Sequence, residues 1–472
     1  MYYVIIEGNI MKISSKGSTM ERRDALKVMG IGGAALLAGG GTSASAKTKL
    51  STFASRKKAD IVIIGGGTAG MTVAARLRRS APNAKITLIA PNETHLYQSG
   101  QVYVAAGLFS EFDNKRPTSE LLPDNVIWMK DKVTAFDPDK NRVQTAKHNT
   151  VPYDYLVVAL GCEYDYNAVE GMSSDDIGKH GIASVYMNDL NEGTSEGAIV
   201  SRMWMKAIRR KAQKSEVRVL FSDSQTPVKG EGASLSMLFL ANDMLKGNGL
   251  KIKDKDLQHK VKFTLTKAGK VLFPSAKIDA ALKRTMKKTD NVSVSYGHIL
   301  KRIDKEKKVA VYANGDEEVN VSYDYLHITP PMRAPQVVRD SELSIKNGPH
   351  KGWLDVDENT LRHPKYRNVF GLGDVVGLSS GKSGGAVREQ AIVLQDNIAA
   401  VMEGKVEPMS YEGYSVSPIK TRYGRVMLAE YTPKGLAPMF PLNPTTPRWI
   451  WWEMDLHLMR RAYYDLMMRG ML

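Results

Sequence analysis

The sequence predicts a three-layer α/β protein with two parallel-sheet domains, the second degenerate, and a C-terminal α+β region. Three observations predict it. Residues 59–64 (ADIVII) form a buried-strand pattern that runs into a glycine-rich turn, a helical segment and a second strand at 85–89. A strand–helix–strand succession recurs at 216–221, 233–245 and 261–265. Two further apolar strand patterns, at 153–161 and 368–374, flank that second unit in the chain.

The turn of the first unit is GGGTAG, residues 65–70. Between a strand and a helix this spacing is the Rossmann-like dinucleotide fingerprint. Gly65 permits the tight turn, Gly67 lets the backbone approach a pyrophosphate, and Gly70 lets helix and strand pack closely. Thr68, Ala69 and Gly70 open a helix whose free N–H groups and positive dipole favour phosphate. The second strand should end on an acid that binds a ribose hydroxyl. Ala90 stands there instead, with Asn92 and Glu93 as substitutes just beyond. The second unit has SDSQTPVKGEG after its first strand (222–232) and no GxGxxG, so no tightly bound NAD(P) is expected.

Residues 59–166 and 336–400 are expected to build one domain, 167–335 the second, and 401–472 the C-terminal region, after a linker at 47–58. Residues 20–46 carry an arginine pair (Arg22, Arg23), a short Gly/Ala-rich apolar stretch and a small-residue end at 44–46. That pattern makes 1–46 a twin-arginine export signal, with the mature protein on the periplasmic side of the membrane.

The chain is 43% hydrophobic with a formal charge of +16, and it matches no nucleic-acid module, so the excess charge reads as a solvated basic surface with a lipid-facing share. Its one cysteine, Cys162, excludes an internal disulfide and cysteine-rich metal centres, and the nine histidines have no metal spacing. Residues 447–470 read as one amphipathic helix. Trp449, Trp452, Leu456, Met459, Tyr463, Leu466 and Met467 form its apolar face, and Arg448, Arg460, Arg461 and Arg469 flank it. That composition suits a membrane surface, and charge interrupts it too often to span.

The 153–161 segment (YDYLVVALG) and the 368–374 segment (NVFGLGD) resemble the flavin-side motifs of disulfide-reductase-like flavoproteins. That resemblance implies FAD, held by Gly65, Gly67, Thr68, Ala69, Gly70, Asn92, Glu93, Gln98, Val133, Ala159, Gly161, Gly373, Asp374 and Lys382. The stretches HLYQ (95–98), VTAFDPD (133–139), TPVK (226–229), YLHITPPM (325–332), GWLDVD (352–357) and YEGY (411–414) resemble, more specifically, the sulfide:quinone oxidoreductases, in their mitochondrial branch. The resemblance covers the chain from about residue 59. It implies electron flow from a small donor, sulfide in the family, through FAD to membrane quinone. Lys382, Lys420 and Tyr414 are its candidate quinone residues.

The family's two working cysteines fall at Gly230 and Val375. Neither residue can act as a nucleophile or redox partner. Cys162 directly follows the ALG strand and reads as a small buried side chain, with a flavin adduct or persulfide carrier as the alternative. A flavoprotein subunit feeding a cytochrome, as in flavocytochrome c sulfide dehydrogenase, and a non-catalytic flavin-binding homologue are the competing readings of the whole chain. A homo-oligomer is compatible with any of them.

Overall fold

The computed structural model describes residues 53–188, 196–249, 256–379 and 381–472, together with the backbone of a hairpin, Tyr2–Ile6 with Asn9–Ile13. The arginine pair and apolar stretch at 20–46 lie outside the described residues. In chain order the first unit supplies β1 (Asp60–Ile64), α1 (Thr68–Ser80), β2 (Lys85–Ile89), β3 (Val126–Met129) and β4 (Tyr155–Val158). The second supplies β5 (Ile182–Ala183), α2 (Glu196–Ala212), β6 (Val217–Ser222), α3 (Ala233–Leu245), β7 (Val261–Lys267), α4 (Ala276–Met286), β8 (Val292–Tyr296) and β9 (Tyr325–Ile328). The chain then adds β10 (Val369–Gly371), α5 (Gly384–Met402), β11 (Ser415–Arg422) and β12 (Arg425–Thr432).

Both large sheets are parallel. The first runs β10-β4-β1-β2-β3 and the second β5-β9-β6-β7-β8. Strands β1, β2 and β4 are rich in Ile, Val and Leu and buried along nearly their whole length, whereas β7 and β8 alternate with polar residues. Ile61, Ile63 and Leu88 are completely buried. Each such side chain contributes roughly 1.5–3 kcal/mol relative to exposure. Strand β10 lies about two hundred residues from β4 in sequence, yet pairs with it directly from Leu156–Val369 to Val158–Gly371. That pairing brings the 368–374 segment beside the glycine turn. Helix α5 packs along α1, with Arg76 Nη1 donating to Gln395 Oε1 at 3.2 Å.

The hairpin β11–β12 packs on α3 and leads through Arg448, bridged to Val426, into the C-terminal segment. That segment is not the single α-helix the periodicity predicts. It runs α (Trp449–Glu453), π (Met454–Leu458), α (Met459–Arg461), π (Ala462–Leu466) and 3-10 (Met467–Arg469). Each wide π turn rotates the faces that follow it, so the 3.6-residue stripe does not stay on one side. Trp451 and Tyr464, off the predicted face, are buried, while Trp449 and Leu456 on it are only partly so. Much of the expected apolar face therefore packs on the protein's own domains. No helix among the described residues is long and apolar enough to cross a membrane.

Candidate functional site

The glycine turn has the shape its sequence requires. Gly65 has φ +109°, and a Cβ there would lie 2.4 Å from the Ala159 carbonyl oxygen. A Cβ at Gly70 would lie 1.7 Å from the Gly65 oxygen, so neither position admits a side chain. Gly67 is different, with nothing within 4 Å of its Cβ position. Helix α1 starts there with no side-chain cap and no acid in its first turn. Its first N–H groups and positive dipole end therefore suit an anion. A pyrophosphate fits this cradle. The Nδ2 of Asn92 is buried without a hydrogen-bond partner near the end of β2, whereas Glu93 is exposed and paired with Lys130 at 2.9 Å. Asn92 thus fits the adenosine end better than Glu93. Val133 is buried at the start of the strand that follows β3.

The second motif closes onto the first. A Cβ at Gly373 would come within 2.9 Å of the Ala69 Cβ, and the Gly373 N–H donates to Gln390 Oε1 of α5 at 2.8 Å. Ser383 caps α5, accepting from the Ala386 N–H at 3.2 Å. Asp374 follows in a single 3-10 turn, Gly373–Val375. Ala159 and Gly161 end the β4 segment alongside. Residues far apart in the chain, from 65 to 390, are thereby assembled around one loop.

Beside Asp374 sit two buried lysines. Lys382 Nζ donates to the carbonyls of Asp374 (2.6 Å) and Val376 (2.8 Å) and lies 3.8 Å over the Trp353 ring. Burial pulls its pKa down to about 8, against the pull of Asp374. Lys229 Nζ donates to Gln98 Oε1 at 2.5 Å and lies 4.7 Å over Tyr164. Burial opposes its charge, but Tyr164, Cys162 and Asp374 together hold it above the ordinary lysine value. Gly230 donates its N–H to the Lys382 carbonyl at 3.0 Å. Of the two positions that the resemblance gives to cysteines, Gly230 is thus tied to the Lys382 carbonyl, and the residues on either side of Val375, Asp374 and Val376, to the Lys382 ammonium. Gly230 has φ +61°, a conformation that disfavours any side chain, and Val375 is completely buried.

Cys162 is 3% exposed, with its Sγ 3.9 Å from Met332 Sδ. Burial pushes its thiol up to about 11, so it is protonated at neutral pH. His327 is completely buried, stacks on Phe221 at 5.0 Å and accepts the Val185 N–H at 3.1 Å, as a core histidine does. Two of the candidate quinone residues are committed elsewhere. Lys420 forms a buried ion pair with Asp455 at 2.8 Å, and Tyr414 donates to Glu430 at 2.8 Å.

The sequence reading missed what the C-terminal segment brings to the loop. Tyr463 Oη lies 2.8 Å from Thr68 Oγ1 and 2.5 Å from His95 Nε2, with its ring 4.7 Å from that of Tyr97. The signal was partly present, since His95 stands two residues before the Tyr97–Gln98 pair. Nothing in a one-dimensional pattern pairs it with a residue 368 positions away.

Residues 59–200 match the family described as pyridine nucleotide-disulphide oxidoreductase. The chain is 34% identical, over 79% of its length and 77% of the relative's, to a mitochondrial sulfide:quinone oxidoreductase of Dictyostelium discoideum. It is 31% identical, over 87% and 86%, to the mitochondrial sulfide:quinone oxidoreductase of Mus musculus. The sulfide:quinone oxidoreductase structure from Aquifex aeolicus superposes with TM-score 0.67 at 19% identity, covering 86% of this chain and 91% of that one, and shows the shared fold. The relatives' mitochondrial names overturn the expectation of twin-arginine export to the periplasm and point to the mitochondrion. A short basic segment rich in Gly, Ala and Ser does not by itself separate one address from another. Fold, glycine cradle and these identities agree: the chain belongs to the sulfide:quinone oxidoreductase family and is an FAD-dependent oxidoreductase.

Proposed function

We propose that the protein passes two electrons from a small donor to a membrane quinone by way of FAD, without the cysteine relay of its family. The observation that carries this reading is the Lys382 knot. Gly230 and Val375 stand on either side of it, neither bears sulfur, and the one thiol of the chain is buried, protonated and packed on Met332. When bound, FAD supplies the two-electron chemistry. The protein's part is electrostatic. Lys229 and Lys382 place two ammonium groups beside Asp374, held by neutral partners, and stabilise negative charge that develops at the site. With glycine and valine at the two cysteine positions, no disulfide would stand between the donor and the site that Gly65, Gly67, Gly373 and Asp374 would offer to FAD.

Membrane contact is narrower than a whole helix. Leu458 and Met471 are exposed on the C-terminal segment, and Phe112, 72% exposed, precedes Asp113, which is paired with Arg460 at 2.7 Å. Apolar side chains beside arginines suit the headgroup region.

The test separates acceptor from donor. The holoprotein is reduced anaerobically with dithionite and mixed with a short-chain quinone analogue. Recovery of the oxidised flavin absorbance, one quinone per flavin, is the expected result; a flavin that stays reduced would refute the quinone reading. Lys382→Met should lower the flavin potential by on the order of 30 mV, about 1.4 kcal/mol for a two-electron couple.

A further inference from the structure

The hydrogen bonds joining the C-terminal segment to the glycine turn have only one consistent direction. His95 is buried and its pKa is lowered to about 4 by burial, so it carries a single ring proton at neutral pH. Its Nδ1 faces the Gly66 carbonyl at 3.2 Å, which can only accept, so the proton sits on Nδ1. Nε2 must then accept, and the Tyr463 hydroxyl donates to it. Tyr463 Oη is left as the acceptor for the Thr68 hydroxyl. The chain reads Thr68 to Tyr463 to His95 to Gly66: it starts and ends on the same loop and closes through a side chain from the far end of the protein. The rest of the segment is fastened to the same domain. Tyr464 donates to the Asn114 carbonyl at 2.7 Å, Arg79 donates to the Gly470 carbonyl at 3.2 Å, and Gly470 lies against the α1 backbone at Ala75 and Arg76.

We propose that the C-terminal segment is a strap that completes the dinucleotide site, with Tyr463 and His95 as positioning residues that hold Thr68 and its loop in the shape that receives the FAD pyrophosphate. Thr68 spends its hydroxyl proton on Tyr463, so phosphate recognition falls to the loop's N–H groups, and their alignment depends on the strap. Retention of the cofactor is therefore coupled to docking of the chain's last residues.

The test uses the full-length holoprotein and reads FAD release by the recovery of free-flavin fluorescence, with no turnover involved. Tyr463→Phe keeps the ring on Tyr97 and removes the hydroxyl. It should release FAD about tenfold faster, while the melting temperature falls about as it does for Tyr464→Phe, each losing buried hydroxyl bonds. Thr68→Val should do the same, and the double variant should be no worse than either single one, because both remove one shared link. Tyr464→Phe deletes a hydroxyl of the same segment that bonds outside the loop. It should lower the melting temperature and leave FAD release unchanged. Wild-type release from Tyr463→Phe, fully additive losses in the double variant, or equal loss from Tyr464→Phe would each overturn the proposal.

Discussion

At the scale of single residues, the buried histidines make a prediction with a definite sign. Burial lowers the pKa of both His95 and His327 to about 4, below the ordinary histidine value of 6.5. Between those values the unfolded chain binds protons that the folded one does not, so stability rises with pH through that window. The neutral-histidine contribution is fully present above pH 6.5 and lost as pH falls toward 4. His327→Phe should reduce the acid sensitivity seen in urea unfolding at several pH values. It should also cost about 1–3 kcal/mol at neutral pH, because the Val185 N–H loses its acceptor. An acid limb as steep as the wild type's would contradict this assignment. The residue scale is also where the sequence was most legible. Gly65 and Gly70 have roles dictated by backbone sterics, and sterics are local; Gly67 meets no protein atom and leaves room for a ligand. Lys229 and Asn92 were less legible, because their importance comes from burial and from partners that only the folded chain supplies.

At the scale of elements, the strands were readable because a buried parallel strand is a short uninterrupted apolar run, and α3 follows the predicted bounds 233–245. The C-terminal segment was not, because two π turns break the period on which the reading rested. A charge inside the segment marks what holds it. Asp455 is 4% exposed, pairs with Lys420 of β11 and accepts from Tyr103 Oη at 2.6 Å. Lys420→Met would leave that carboxylate buried without its cation, at a cost of about 3–5 kcal/mol. Lys420→Met combined with Asp455→Leu should restore much of the loss, since it removes both charges together. Urea unfolding of the three variants checks this; a single variant as stable as the wild type would show that the pair does not clamp the segment.

At the scale of the whole molecule, two parallel sheets and a C-terminal region enclose a cofactor site whose parts come from both ends of the chain. The two strand–helix–strand units behind the two parallel sheets were legible, while the order of their strands was not read from the sequence. The convergence of Lys229, Lys382 and Cys162 was not legible, because it depends on how the two domains meet. On the proposed membrane contact, the exposed Phe112 and Leu458 are the side chains that would meet lipid. Phe112→Ser with Leu458→Ser should weaken flotation with anionic liposomes and leave FAD content unchanged; undiminished flotation would move the contact elsewhere.

The central claim is that the flavin chemistry of the family is kept while its sulfur relay is absent. Anaerobic titration of the FAD-loaded protein with sulfide, followed by the flavin's visible absorbance, tests it most directly. The account predicts a full complement of flavin that dithionite bleaches and sulfide does not bleach at a catalytic rate. Introducing both Gly230→Cys and Val375→Cys should move the protein toward sulfide sensitivity. Rapid bleaching of the unmodified protein by sulfide, with polysulfide released, would contradict it.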